Sequence, residues 1–277
     1  MSEFHGTRER LAASLLAASF ERLAEIQKDL YLSARLGESP EHDWVPLPRL
    51  LEDRQFLREQ LRLVREKWDL DNRNTAIGVV GRVVWHVGGA AIALYATERR
   101  VPDLSPENLS LRLTDGDLDG AAFLGGGFAA VSGDPARDEA VAVFEDEAGL
   151  AEWMREGLEG LLEPLISGLH AETRVGRRVL WGCSADMISQ RFLGMGKLLG
   201  DRLRFGEQAE RFVKSPGSPL NGNTRFFIVE RQGRKAVFFT RGVCCQGYKY
   251  PGSGYCGSCP LLSREEREQR AVAELAG

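Results

Sequence analysis

The stretch Cys244-Cys245-Gln246-Gly247-Tyr248-Lys249-Tyr250-Pro251-Gly252-Ser253-Gly254-Tyr255-Cys256-Gly257-Ser258-Cys259 packs four of the chain's five cysteines into sixteen residues. Neighbouring residues on a regular strand point to opposite faces, so Cys244 and Cys245 can face one centre only if the backbone leaves strand geometry here. The surrounding glycines (Gly242, Gly247, Gly252, Gly254, Gly257) permit that, since glycine allows positive φ and close backbone approach. Two residues between Cys256 and Cys259 let one turn present two thiolates to a single site. Four readings follow. Two local disulfides would require an oxidising compartment. A redox dithiol at Cys256/Cys259 would leave Cys244 and Cys245 unused and lacks a thioredoxin-like context. A structural zinc site and a [2Fe–2S] cluster both suit four thiolates, and spacing alone does not separate them.

Working outward, Thr224–Glu230 and Ala236–Thr240 read as strands joined through Arg231-Gln232-Gly233-Arg234, a hairpin. Apolar spacing of three and four predicts helices over 8–30, 47–68, 75–98, 146–170, 174–199 and 203–213. Between them, Leu109, Leu111 and Leu113 alternate with polar residues, and 121–132 and 140–144 are short apolar runs. Blocks of helix and strand without regular alternation indicate an α+β fold. The chain divides into an N-terminal helical extension (1–45), a mixed body (46–240), a cysteine segment (241–262) and a charged tail (263–277) expected to be a solvated helix.

The 277 residues are 43% apolar and 27% charged, enough to bury a core and too apolar for disorder. The apolar run 11–20 continues as an amphipathic helix through Leu23, Ile26 and Leu30, unlike a cleaved signal. Residues 76–97 are long enough to cross a bilayer, yet carry Arg82 and His86 mid-run, so a buried core helix is expected. No nucleic-acid partner, membrane segment or tightly bound nicotinamide or flavin is expected; Gly194-Met195-Gly196-Lys197 lacks the spacing and context of a phosphate loop. Of the dispersed histidines, His86 reads as a core residue, and Cys183 reads as a buried free thiol. Net charge is −4, but residues 171–250 hold fifteen Lys/Arg against six Asp/Glu. Such a basic segment suits an anionic ligand or acidic partner. Its candidate contacts are Arg177, Arg178, Lys214, Arg225, Arg234, Lys235, Arg241 and Lys249, with Trp181 beside them.

The run Cys244-Cys245-x10-Cys256-x2-Cys259-Pro260 resembles the C-terminal signature of the FhuF-type ferric-siderophore reductases. Arg178-Val-Leu-Trp181-Gly182-x-x-Ala185 resembles that family's second landmark, and the likeness extends loosely from about residue 60 to 262. The resemblance implies a cytoplasmic protein whose [2Fe–2S] cluster, bound by Cys244, Cys245, Cys256 and Cys259, reduces siderophore-bound Fe(III). It also implies a siderophore-binding body shaped like the siderophore synthetases, with the cluster domain at its end. Siderophore oxygens are hard ligands that hold Fe(II) far less tightly than Fe(III), and a [2Fe–2S] centre carries single electrons, so the chemistry matches. Tyr248, Lys249, Tyr250 and Tyr255 would shape the cluster's exposed edge. The electron would come from an external donor, a ferredoxin-like protein or small reductant. The competing expectation is a non-catalytic binding protein whose four cysteines hold a structural zinc ion.

Overall fold

The computed structural model describes residues 2–40, 43–114, 116–249, 252 and 254–276, with only the backbone of 2–11 and 276. The chain opens with α1 (Ser2–Gln27), β1 (Ala34–Leu36), β2 (Trp44–Pro46), α2 (Leu47–Glu52), α3 (Arg54–Trp68) and α4 (Asn72–Val83). A π-turn at Val84–Gly88 carries α4 into α5 (Gly89–Glu98). The short strands β3 (Arg100–Pro102), β4 (Leu109–Thr114), β5 (Asp117–Phe123), β6 (Phe128–Val131) and β7 (Ala142–Phe144) follow. Then come α6 (Glu147–Thr173), α7 (Arg177–Leu198), α8 (Arg202–Val213), β8 (Arg225–Arg231), β9 (Arg234–Thr240) and α9 (Arg264–Ala276).

Local chemistry sets the boundaries. Asp53, Asp71, Asp146 and Asp201 each accept a hydrogen bond at Oδ1 from the N–H three residues on, at 2.7–3.2 Å. Each satisfies a donor that a helix otherwise leaves orphaned at its start. Because Asp53 both ends α2 and caps α3, the single helix expected over 47–68 is two. In the hairpin, Gln232 and Gly233 take φ of 51° and 76°, the pair of left-handed residues a two-residue turn needs to follow strand twist.

The strands form an order β1-β5-β4-β2, with β1 parallel to β5, a second sheet β3-β6-β7, and the separate β8–β9 hairpin. The α4–α5 rod runs through the core: it is apolar and long enough to span a bilayer, but 83% of its apolar window is buried inside the protein. Helix α1 belongs to the same core through Ala12, Leu16, Phe20 and Leu23. A Cβ on Gly126 would stand 2.1 Å from Ala13 Cα, so α1 lies directly on the β5–β6 turn. Buried Arg100 clamps Asp134 with two 2.8 Å bonds and reaches Ser19 of α1. Helix α1 from Ala12 onward, β1 and β2 thus pack into the body across the boundary drawn at 45. The tail also differs from expectation: α9 buries Ala271 and Leu275 against Val229, Ala236 and Phe238 of the hairpin, four-residue spacing giving it one apolar stripe.

His86, in the π-turn, accepts a hydrogen bond at Nδ1 from the Ser33 N–H (3.2 Å), which leaves its proton on Nε2, buried without a partner. Burial, helped by Arg82 and Arg191, pushes this imidazole down to about 4. A depressed folded-state value gives stability that is full above the ordinary 6.5 and lost as pH falls towards 4. That difference corresponds to about 3 kcal/mol. We expect wild type to lose stability relative to His86→Gln over pH 7 to 4, measured by denaturant unfolding of both proteins at several pH values.

Candidate metal centre

Strand β9 ends at Thr240, and the next three residues turn out of the sheet under the control of α7. The carboxylate of Asp186, buried on that helix, accepts from the Thr224 hydroxyl (2.7 Å) and the Gly242 N–H (2.8 Å) at Oδ1, and from the Val243 N–H (3.0 Å) at Oδ2. One turn earlier, Gly182 leaves room for Val243, whose Cγ2 would be 2.6 Å from a Cβ there. Gly242 is needed for the same reason on the other side: a Cβ would stand 2.6 Å from Thr224 N, a backbone atom. Burial raises the Asp186 carboxyl above the usual carboxylate range, against the pull of its three donors and Arg241.

Arg241 comes next. Its N–H donates to Ser258 O (2.9 Å), clasping the start of the segment to the turn that carries Cys256 and Cys259. Its guanidinium meets Met187 Sδ at 3.0 Å, and its charge helps to lower the Cys245 thiol. Cys245 and Cys256 act on one another: the Cys256 side chain lowers the Cys245 thiol, with Arg241 helping, and Cys245 in turn raises Cys256. Cys259 donates its N–H to Cys256 O (3.0 Å), closing one turn between them. Cys244 is tied to α4 by its carbonyl, which accepts from Arg73 Nη2 at 3.4 Å. After Cys245 the chain turns through Gln246 at φ 58°, leaving strand geometry as the adjacent cysteine pair requires. Cys183 is the buried thiol expected of it: 4% exposed, 4.0 Å from Ile77 O, and pushed up to about 12 by burial.

The donor set suits an iron–sulfur cluster, being four thiols and no carboxylate or imidazole. Among the described residues no three His, Cys, Asp or Glu side chains stand together at metal-binding separation, so the four sulfurs are near one another in the chain without being gathered around one point.

Two cavities meet at Cys245. One, of about 570 Å³, runs between α3, α4 and the β4–β5 turn; the other, of about 430 Å³, passes Trp85, Met187 and Arg241. They share Ile77, Gly78, Arg82 and Cys245, so together they form one groove over α4. Its walls are mainly apolar, with Gln60, Asn74, the exposed Arg82, Asp117, Gln190 and Arg241 as polar groups. A Cβ on Gly78 would meet nothing within 4 Å.

Of the basic residues singled out from sequence, Arg241 alone lines this groove. Arg177 is held by Glu163 of α6, Lys235 pairs with Glu230 at 3.2 Å, and Lys214 donates to Gly222 O at 2.6 Å. Lys249 donates to Gln246 Oε1 (2.9 Å), while Arg178, Arg225 and Arg234 are exposed elsewhere on α7, β8 and β9. Trp181 is a core residue, 5% exposed. Charge counted along the chain does not say which face a side chain takes, and that is why these residues scatter. Tyr248 and Tyr255 do meet, rings 5.2 Å apart; Tyr250 lies outside the described residues. Gly78, Arg82 and Asp186 were missed. The signal available for the first two was an arginine and a spare glycine one turn apart in an apolar helix.

Residues 80–226 match the sequence profile of the family described as ferric iron reductase FhuF-like transporter. The chain belongs to this family. Residues 241–261 match the FhuF 2Fe-2S C-terminal domain, which makes [2Fe–2S] the cofactor of the segment that holds the four cysteines. No protein of curated function matches significantly. Similar solved structures include two proteins from a hypervirulent pathotype of Klebsiella pneumoniae. Aerobactin synthetase IucC is 16% identical, with TM-score 0.51 over 70% of this chain and 41% of its own. ATP-bound aerobactin synthetase IucA is 10% identical, with TM-score 0.52 over 76% and 43%. The FhuF-like chain therefore spans about two fifths of these synthetases and shares their α+β fold.

Removing the Asp186 carboxylate would orphan three donors at once. We expect Asp186→Ala to cost about 3 kcal/mol and to lower iron retained per chain, with Asp186→Asn intermediate, as read by denaturant unfolding and metal analysis of the purified variants.

Proposed function

We propose that this FhuF-like chain is a cytoplasmic ferric-siderophore reductase, in which Cys244, Cys245, Cys256 and Cys259 hold the cluster and the groove over α4 receives the ferric siderophore. The observation that carries the reading is that Cys245 lines both halves of the groove, so a ligand there stands against the cysteine segment with no chain between. When bound, the cluster supplies one electron at a time, the stoichiometry of Fe(III) to Fe(II). The siderophore's hard oxygens release the reduced metal, and an external donor, a ferredoxin-like protein or small reductant, restores the electron.

The protein's part is positioning and electrostatics; no nucleophile or general base is required. The apolar walls exclude water from the siderophore's periphery, and Arg82, Asn74 and Gln60 offer it hydrogen bonds. Arg241, partly buried beside Cys245, offsets the negative charge that thiolates gather there. Siderophore binding falls to the body, 46–240, and electron transfer to 241–262. A cytoplasmic setting suits thiols that must stay reduced to bind iron.

Anaerobically purified protein should be brown and give an S = ½ resonance after dithionite, and that resonance should vanish on adding a ferric trihydroxamate or a ferric tricatecholate siderophore. Serine at any of the four cysteines should abolish it, while Cys183→Ser should keep it. Colourless protein with stoichiometric zinc would overturn the reading. A second prediction isolates the groove. Gly78→Leu fills open space on a helix that tolerates leucine better than glycine. It should preserve colour and resonance and slow siderophore reduction at least about tenfold through a raised KM, measured by steady-state kinetics.

A further inference from the structure

The cysteine segment has a second open side. Beside Cys256, between the end of α7, the β8–β9 hairpin and α9, lies a cavity of about 410 Å³. Five cations line it, Lys197, Arg202, Arg241, Arg267 and Arg270, against a single carboxylate, Glu274. Glu274 pairs with Arg202 at 2.8 Å, and Arg202 also stacks on Phe238. Arg267 and Arg270 each bond a backbone carbonyl, of Leu262 (2.8 Å) and Tyr255 (2.7 Å), which fixes their position; among the described residues neither forms an ion pair, and Glu266 acts on Arg270 only at longer range. Lys197 is exposed and has no ion pair among the described residues. The Nε atoms of Arg241 and Arg267 are buried with no hydrogen-bond partner among the described residues.

Unpaired buried donors are costly, and here they accompany like charges drawn from three elements around one hollow. The apolar contacts of Ala271 and Leu275 hold α9 in place as its outer wall. A hollow of this volume suits a small ligand; a protein partner would meet a broad, flat face. Arg241 is taken up beside Cys245 and Arg202 by Glu274, which leaves three cations, Lys197, Arg267 and Arg270, for a ligand. Guanidinium forks fit carboxylate and phosphate alike.

We propose that this cavity binds a small polyanion, a molecule with at least two carboxylate or phosphate groups, beside Cys256 and apart from the siderophore groove. Bound negative charge there opposes addition of an electron to the neighbouring cluster. The anion therefore lowers the midpoint potential, and by linkage reduction weakens anion binding. Neither statement depends on which iron complex, if any, is reduced.

The test is isothermal titration calorimetry of cluster-loaded, full-length protein at constant ionic strength, with inorganic pyrophosphate in one arm and tricarballylate in the other. One saturable site is expected, and the tighter arm identifies the anion's chemistry. Lys197→Gln, an exposed position that leaves the fold intact, should weaken binding about fivefold. Arg267→Gln should weaken it further, and Arg178→Gln, on the opposite end of α7, should not change it. Photoreduced protein should bind more weakly than oxidised protein. Absence of saturable heat in both arms would overturn the proposal, as would equal affinity of Lys197→Gln and Arg178→Gln, which would mean diffuse charge attraction.

Discussion

The cysteine segment is positioned by one buried carboxylate. Asp186 takes hydrogen bonds from the residue that leads into β8 and from the first two residues after Arg241, so it joins α7, the hairpin and the segment at one point. Its two oxygens hold adjacent N–H groups that no strand partner can satisfy once β9 has ended, and an unmet buried N–H is among the more expensive defects in a fold. The close approach this demands is built in on both sides by glycine, Gly182 under Val243 and Gly242 against Thr224. Everything beyond, from the cysteine pair to the turn of Cys256 and Cys259, inherits its place from that anchor.

Arg241 extends the same logic to charge. Its backbone N–H holds the Ser258 carbonyl while its guanidinium reaches Cys245, so one residue ties the two ends of the sixteen-residue cysteine segment and answers the charge the thiolates concentrate there. Partial burial makes that pairing stronger than a surface contact of the same length, since solvent screens it less. The segment then stands between two unlike surroundings, a mainly apolar groove at Cys245 and a cationic hollow at Cys256. With the proposed ligands bound, a redox centre so placed would feel each side through different physics: exclusion of water on one, added charge on the other.

How much of this could be read from the sequence follows the range of each interaction. The cysteine spacing, the two-residue hairpin turn and the long helices are local patterns, and the structure holds them within a few residues. Strands β1, β2 and β3 are three residues each, too short for alternation to register, and exist because longer strands pair with them. The tail's packing was hidden by its charge: two buried positions, Ala271 and Leu275, suffice to dock a helix otherwise rich in Glu and Arg. Asp186 looks like any helical aspartate until its partners, 38 to 57 residues away, are brought to it. The candidate basic contacts lie scattered over several faces, because segment charge carries no information about facing.

The glycines of the α4–α5 rod show where such information does reside. Gly89 stands against Arg191, where a Cβ would be 2.9 Å from Nε, and Gly88 and Gly81 meet Leu158 and Met187 at ordinary contact distance. Those three make room for protein. Gly78 makes room for nothing in the chain. Glycine within a helix costs about 1 kcal/mol relative to alanine, a cost the other three offset by close packing and Gly78 does not. Gly160 of α6 and Gly194 of α7 face open space as well, so it is the position of Gly78 beside Cys245 in the groove, rather than its openness alone, that suits the proposed ligand.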